Sequence, residues 1–280
     1  MAPTGDVGRT DWHLLVPGKG KTAQGRLWTY VVDDRASASA APALMWYRFT
    51  PDRSGIHPQT GLKNFTGLLQ ADGYAGYEKL YAGNRIQEVA CWAHFRRKIF
   101  QNHQTSPTPL TTDLLARIAA LYRIEDEVRG QPPDVRKRRR QENTRPMVDE
   151  LRSAIDDALR RLSPKSAMAK ALAYGRKRWI ALTRFIDDGL AEIDKNIAER
   201  AMRTVAIGRK NWLFAGSQAG GERAAVIYSV IETAKLNASS RKLTWPMSSR
   251  RSQADASLAL GRTDALALDG RCRPRQPDLC

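Results

Sequence analysis

Cysteine is scarce in this chain and long apolar runs are missing. Three cysteines, Cys91, Cys272 and Cys280, stand far apart in 280 residues, and an odd number so spaced excludes a disulfide framework. No apolar stretch approaches the roughly 20 residues that cross a bilayer, and Met1 to Gly8 lacks a charged-then-apolar signal pattern. The expectation is a cytoplasmic protein with no membrane partner. Acidic residues are short as well: 29 Asp+Glu face 46 Lys+Arg, a formal charge of +17 with a pI near 10.2. That surplus exceeds what a solvated surface needs and points to a polyanionic partner, nucleic acid ahead of a membrane surface. A complete phosphate loop is absent too. Gly20-Lys21-Thr22 supplies its last three residues, but Leu15 stands where a glycine is required and a strand, not a helix, is expected next. The segment reads instead as a basic hairpin tip, and no small-molecule substrate is expected.

What is present begins with three apolar and aromatic runs, Trp12 to Val16, Leu27 to Val32 and Leu44 to Phe49, separated by turn-rich segments. They predict a three-stranded antiparallel meander. Gln59 to Phe65 reads as one or two helical turns, with Gly67 as a stop. The run Leu68 to Ala71 then reads as a strand that delivers Asp72 to its end, just where Gly73 and Gly76 let the backbone turn away. A carboxylate so presented suits a metal or ligand site at a sheet edge; the competing reading is an Asp that caps a turn. A second short strand, Ile86 to Ala90, leads into Cys91-Trp92-Ala93-His94-Phe95-Arg96-Arg97-Lys98. Together these predict a mixed sheet with helices packed on it.

From Pro109 to Asp188 the character becomes helical, with apolar residues on one face of each of three helices separated by Pro132-Pro133 and Pro164. Arg136 to Arg140 is a run of five cations, readable as a solvated face or as phosphate contacts. In Asp194-Lys195-Asn196-Ile197-Ala198-Glu199-Arg200-Ala201-Met202-Arg203, Asp194 is a fair N-cap, and Asn196, Glu199 and Arg203 share one helix face. Here the plain reading is a Glu199–Arg203 surface ion pair. Gly208 to Gly221 is a glycine-rich loop with Trp212 and Phe214, residues suited either to base stacking or to core anchoring. A final amphipathic helix spans Glu222 to Leu236, with Ala224, Ile227, Tyr228, Ile231 and Ala234 expected to face inward. The text beyond Asn237 lacks either hydrophobic period and is expected to be disordered.

Four segments in order, LLQADGYAGYEKL, EVACWAHFRRKIF, RFIDDGLAEIDKNIAERAMRTVAIGRKNWLFAGS and GGERAAVIYSVIETAKLN, strongly resemble the catalytic region of insertion-sequence-66 family transposases of the TnpC type, from about Leu14 to Asn237. The resemblance implies a DDE transposase with an α/β, RNase H-like mixed sheet, flanking helices and an all-helical insertion between the second and third acidic residues. It implies residues 1–105 as the first part of the catalytic domain, 106–188 as the insertion, 189–237 as the second part with the Glu helix, and 238–280 as a tail. Asp72 resembles the second acid and Glu199 the third, both catalytic and metal-binding; Cys91 and His94 resemble a Cys-x-x-His signature. Those two are half of a zinc ligand set, to which His103 could add, or else packing and hydrogen-bonding groups. Arg96, Arg97, Lys98, Arg200, Arg203, Arg209, Lys210 and Trp212 are the expected DNA contacts.

The first acid departs from the pattern. The family carries Asp-Asp-Thr or Asp-Glu-Thr shortly before the Pro-Gly-Lys-Gly tip; counting back from Pro17, Thr10 matches the threonine, but Gly8 and Arg9 stand where the acids belong. Asp6 and Asp11 lie nearby, out of register. In an intact member three carboxylates would hold two Mg²⁺ ions, with Mn²⁺ as a possible substitute, for in-line displacement at phosphorus on DNA by a nucleoid-associated homo-oligomer. Together with the missing N-terminal region and a tail that reads as out of frame, this gives the expectation of a truncated, frame-disrupted copy, defective in strand transfer. The alternative is a non-catalytic DNA-binding remnant that occupies element ends or interferes with an intact transposase.

Overall fold

The computed structural model describes residues 4–15, 21–194, 196–208 and 215–237. Five strands form one mixed sheet: β1 (Thr4–Leu15), β2 (Thr22–Val32), β3 (Leu44–Thr50), β4 (Gly67–Ala71) and β5 (Ile86–Ala90). Their order is β3-β2-β1-β4-β5; β1, β2 and β3 are antiparallel neighbours, while β4 runs parallel to both β1 and β5. The predicted meander is present, and β5 has the bounds read from sequence. β1 is longer than expected, because Thr4-Gly5-Asp6-Val7-Gly8 carries no apolar alternation of its own and is held by pairing on both sides. Gly67, expected as a stop, opens β4 instead with φ 129°, a value glycine adopts without a Cβ clash. The predicted turns at Gln59 to Phe65 sit earlier, as α1 (Ile56–Gly61).

Alternation along the strands sends successive side chains to opposite faces. On one face Val7, Trp28, Tyr30, Leu69 and Ala71 pack with Phe65, Tyr77, Leu80 and Ile86, beneath α1 and the short α2 (Glu78–Tyr81). On the other, Trp12, Leu14, Leu27, Val31, Met45, Tyr47 and Phe49 meet α9 (Asn196–Gly208) and α10 (Gln218–Asn237). Ala198, Ala201 and Val205 recur at helical spacing, so α9 presents a narrow, small-residue face that lies close on the sheet. A third core joins Leu68 and Val89 to α3 (Trp92–Thr105) and to the helices that follow it: α4 (Pro109–Val128), α5 (Pro133–Arg139), α6 (Arg145–Arg161), α7 (Ala167–Lys177) and α8 (Trp179–Asp187). The helix predicted after Pro164 is thus two, broken at Arg178.

Two expectations are overturned. The run Arg136 to Arg140 is neither a solvated face nor a phosphate contact as a whole, because Arg136 and Arg140 are buried, 1% and 0% exposed. Arg140 donates to both oxygens of buried Glu125 at 2.8 and 2.5 Å and to the carbonyls of Phe185 and Asp188; Arg136 donates to Glu192 at 2.6 Å. A single turn with π-type bonding, Arg140–Thr144, follows α5 and joins it to α6. The inward face of α10 is also shifted. Ala225, Val230, Glu232 and Thr233 are buried, whereas Ile227 is half exposed. The cause is polar: Ser229 accepts from the Tyr47 amide, Thr233 accepts from the Met45 amide and donates to its carbonyl, and Asn237 does the same with Ala43. α10 is anchored to the outer edge of β3 by these side chains, which rotates its apolar residues away from the expected face.

Candidate active site

The parallel register decides which side chains share an edge. Ala71 pairs with Ala90 at the ends of β4 and β5, so Asp72 and Cys91 are the next residues out on adjacent strands. Asp6 pairs with Gln70, so two residues further along β1, Gly8 comes level with Asp72. Gly8 faces α9: a Cβ built there would lie 2.7 Å from Met202 Cε and 3.6 Å from Ala198 Cβ, on the stretch of helix that carries Glu199. The register thus brings Gly8, Asp72 and Cys91 level on adjacent strands, and Gly8 faces the stretch of α9 that carries Glu199.

The side chains at that edge are engaged by cations. Arg9 donates to both oxygens of Asp72, at 2.8 and 3.0 Å, and its guanidinium lies 4.0 Å from the centroid of the Tyr74 ring. Burial alone would lower the Arg9 pKa, but Asp72 and Tyr77 outweigh it and the net shift is upward. Asp72 also accepts the Tyr74 amide at 3.3 Å, the turn-capping bond that the plainer reading describes. Glu199 faces α3 and not Arg203 on its own helix: His94 Nε2 is 3.5 Å from one carboxylate oxygen and Arg97 3.9 Å from the other. Asp72 and Glu199 make no direct contact with each other among the described residues.

Cys91 is buried at the start of α3, and His103 hydrogen bonds Thr111 at 2.8 Å, far along α3 from His94. Asp6 is buried on the same strand face as Gly8 but one pleat behind it, level with Gln70, and Asp11 is held by Arg26 and Gln24 of β2. Arg96, Lys98, Arg200 and Arg203 are exposed. Arg209, Lys210, Trp212 and Phe214 lie outside the described residues, as does everything after Asn237. Sequence reasoning missed the His94–Glu199 pairing, since nothing local ties positions so far apart. It also missed how the chain returns to the sheet before α9. Buried Gln70 donates to the Glu192 carbonyl at 3.0 Å and the Trp92 amide to the Ile193 carbonyl at 3.1 Å, stitching residues 192–193 to β4 and α3.

Among the described residues no three His, Cys, Asp or Glu side chains are grouped as ligands would be. The donors at the edge are two carboxylates, one of them already covered on both oxygens by a guanidinium. As they stand, these residues do not fit a pair of Mg²⁺ ions, which require several oxygen ligands each.

Sheet and site together define a mixed α/β protein whose chemistry-bearing side chains gather where parallel strands end, the customary edge for a functional site in such sheets. Residues 7–223 match the family model described as Transposase IS66 family, and the chain belongs to that family. Three proteins of Sinorhizobium fredii, named Uncharacterized protein y4qI, y4jD and y4hP, are 40%, 37% and 35% identical to it over 235, 229 and 243 residues. These matches cover 81%, 80% and 81% of this chain but 44%, 45% and 44% of the relatives, so the chain spans less than half their length. No helix among the described residues is long and apolar enough to cross a membrane.

Proposed function

We propose that residues 4–237 are the RNase H-like catalytic core of a DNA transposase, with α4 to α8 as its helical insertion, Asp72 as its second acid and Glu199 as its third. In this reading Gly8 occupies the first acid's place and the chain binds DNA without cutting it. One observation carries the reading: continuing the β1/β4 register sets Gly8 beside Asp72, with its Cβ direction aimed at the turn of α9 that bears Glu199. A carboxylate at that position would complete a triad once the Asp72 carboxylate is released from Arg9, which faces the other side of β1. The adjacent departure from the family pattern acts in the same direction, because the Arg9 guanidinium neutralises the carboxylate that a metal would need.

The residues present can hold a nucleic-acid backbone at this edge. Arg96, Arg97 and Arg200 are exposed cations on the two helices that meet there, and guanidinium forks match phosphate geometry. Such contacts give salt-sensitive binding with little sequence preference. The same function explains why a family member that has lost its first acid retains a basic surface: phosphate contacts do not depend on metal.

Substituting Gly8→Asp together with Arg9→Glu rebuilds Asp-Glu-Thr with Thr10 as its last residue. The nearest obstruction, Met202 Cε and Sδ at 2.7 and 2.9 Å, is the far end of a flexible side chain that can rotate aside. The rebuilt chain is expected to bind Mn²⁺ by calorimetry and to nick supercoiled plasmid in Mg²⁺ or Mn²⁺, and to lose both on adding Asp72→Asn or Glu199→Gln. The unaltered chain is expected to do neither. A folded, rebuilt chain with no gain in Mn²⁺ binding refutes the assignment of the three positions.

A further inference from the structure

A cleft of about 590 Å³ runs between α3 and α4, lined by Arg96, Arg97 and Phe100 on one side and Tyr122, Arg123 and Asp126 on the other, with Asp194 at its wall. Its two acids already have partners: Asp126 is 3.3 Å from Arg129, and Asp194 is hydrogen bonded to Tyr122. Its arginines are differently placed. Arg138, Arg139 and Arg161 are exposed without an ion pair among the described residues but lie outside the cleft, whereas other guanidinia of these helices are paired within the chain, Arg117 with Asp113 and Glu150, Arg145 with Asp187, Arg160 with Asp157 and Arg176 with Asp156. Arg96 and Arg123, by contrast, enter no ion pair among the described residues, and Arg97 reaches only the long 3.9 Å contact with Glu199. Arg96 lies 5.6 Å from the centroid of the half-exposed Phe100 ring, an arrangement that keeps a planar guanidinium presented without neutralising it.

We infer that the α3/α4 cleft seats a DNA sugar-phosphate backbone and leads it to the carboxylate edge. Three guanidinia converge on one groove with only the 3.9 Å contact of Arg97 to Glu199 to balance them, in a protein of net charge +17. Arg97 belongs to both places: it lines the cleft and touches Glu199, so the inner end of the groove abuts the third acid. A phosphate arriving there competes for Arg97 and draws it off the Glu199 carboxylate. Arg123 becomes a DNA contact contributed by the helices that separate the two acids, a role that sequence reading did not assign. This inference rests on the DNA-transposase reading above.

The test uses the full chain and a fluorescein-labelled duplex of arbitrary sequence, titrated in EDTA across a range of NaCl. Each phosphate contact contributes roughly 0.9 to the slope of log K against log salt. Arg96→Gln, Arg97→Gln and Arg123→Gln combined are therefore expected to make the slope shallower by about 2 to 3 and to weaken binding about tenfold or more at moderate salt. Arg117→Gln, on the same helix but paired outside the cleft, leaves both unchanged. Arg123→Glu alone, at an exposed position where folding is not at stake, is expected to weaken binding more than Arg123→Gln. If the triple variant keeps the unaltered slope, the cleft is not the seat while the DNA reading stands. If the unaltered chain does not bind the duplex even at low salt, the DNA reading itself falls and the cleft with it.

Discussion

Replacing Glu125 by glutamine perturbs the most deeply buried charges in the molecule. Glu125 receives both forks of Arg140 and lies 3.9 Å from Arg136, and all three side chains are at most 2% exposed. With the partly exposed Glu192 2.6 Å from Arg136, two cations balance two anions, three of the four charges being out of water. Glu125→Gln keeps the shape but leaves two guanidinia facing one carboxylate. Breaking a buried pair by removing one partner costs about 3–5 kcal/mol, because the remaining charge is left uncompensated. The amide carbonyl still accepts one bond, which puts the expected loss near the lower end, about 3 kcal/mol. Against a total stability of roughly 5–15 kcal/mol this is a large fraction. At about 2–4 °C per kcal/mol for a chain of this size it lowers the melting temperature by roughly 6–12 °C. Urea unfolding of the single variant and of Glu125→Met with Arg140→Met measures the coupling. The double variant is expected to be less destabilised than the sum of the singles, with a residual cost of about 1–3 kcal/mol from the Phe185 and Asp188 carbonyls that Arg140 no longer serves. Additive losses, or a Glu125→Gln cost below about 1 kcal/mol, would show that the quartet does not hold these helices as argued.

Two further outcomes follow from the same geometry. The Asp34 carboxyl is pushed up to about 6, first by burial and then by the negative charges of Asp33, Asp188 and Glu192, with Arg136 opposing. The folded state therefore holds this proton more tightly than the unfolded chain does, so its contribution is fully present below the unfolded value near 4 and is lost as pH rises through about 6. Asp34→Asn should stabilise the protein by about 1–2 kcal/mol above pH 7, after discounting for partial exposure, and give no gain near pH 4, read from melting temperatures at the two values. Thr233→Val removes an acceptor and a donor from the buried Met45 backbone and should cost about 1–3 kcal/mol in denaturant unfolding, where an unchanged midpoint would contradict the bonds described.

How much of this was legible in the sequence depended on whether the deciding contacts were local. β5 and the meander could be read because their apolar runs are bounded by turn residues, and the helices from Pro109 to Asp187 because apolar residues recur on one face. The run of cations at Arg136 could not. Arg136 and Arg140 are four apart and share the inward side, while Lys137, Arg138 and Arg139 turn to solvent, and their partners Glu125 and Glu192 sit on other elements. α10 misled for a related reason: its face is chosen by Ser229, Thr233 and Asn237 bonding a strand, so polar residues point in where an apolar pattern predicts out. At the candidate site, the positions of Asp72 and Glu199 on a strand end and a helix were foreseen. The guanidinium on Asp72 and the imidazole beside Glu199 were not, since both come from segments remote in the chain.

Residues 229, 233 and 237 climb α10 in steps of about 6 Å, and Tyr47 and Met45 of β3, with Ala43 just before it, descend in steps of about 6.8 Å. The near match lets a helix impersonate a sixth strand, occupying the amides of Ala43, Met45 and Tyr47 and the carbonyls of Ala43 and Met45, groups that a sheet border would otherwise offer to any passing extended peptide. An extended peptide or a second copy that sought to add a strand along this stretch would find these five groups taken and would first have to displace α10.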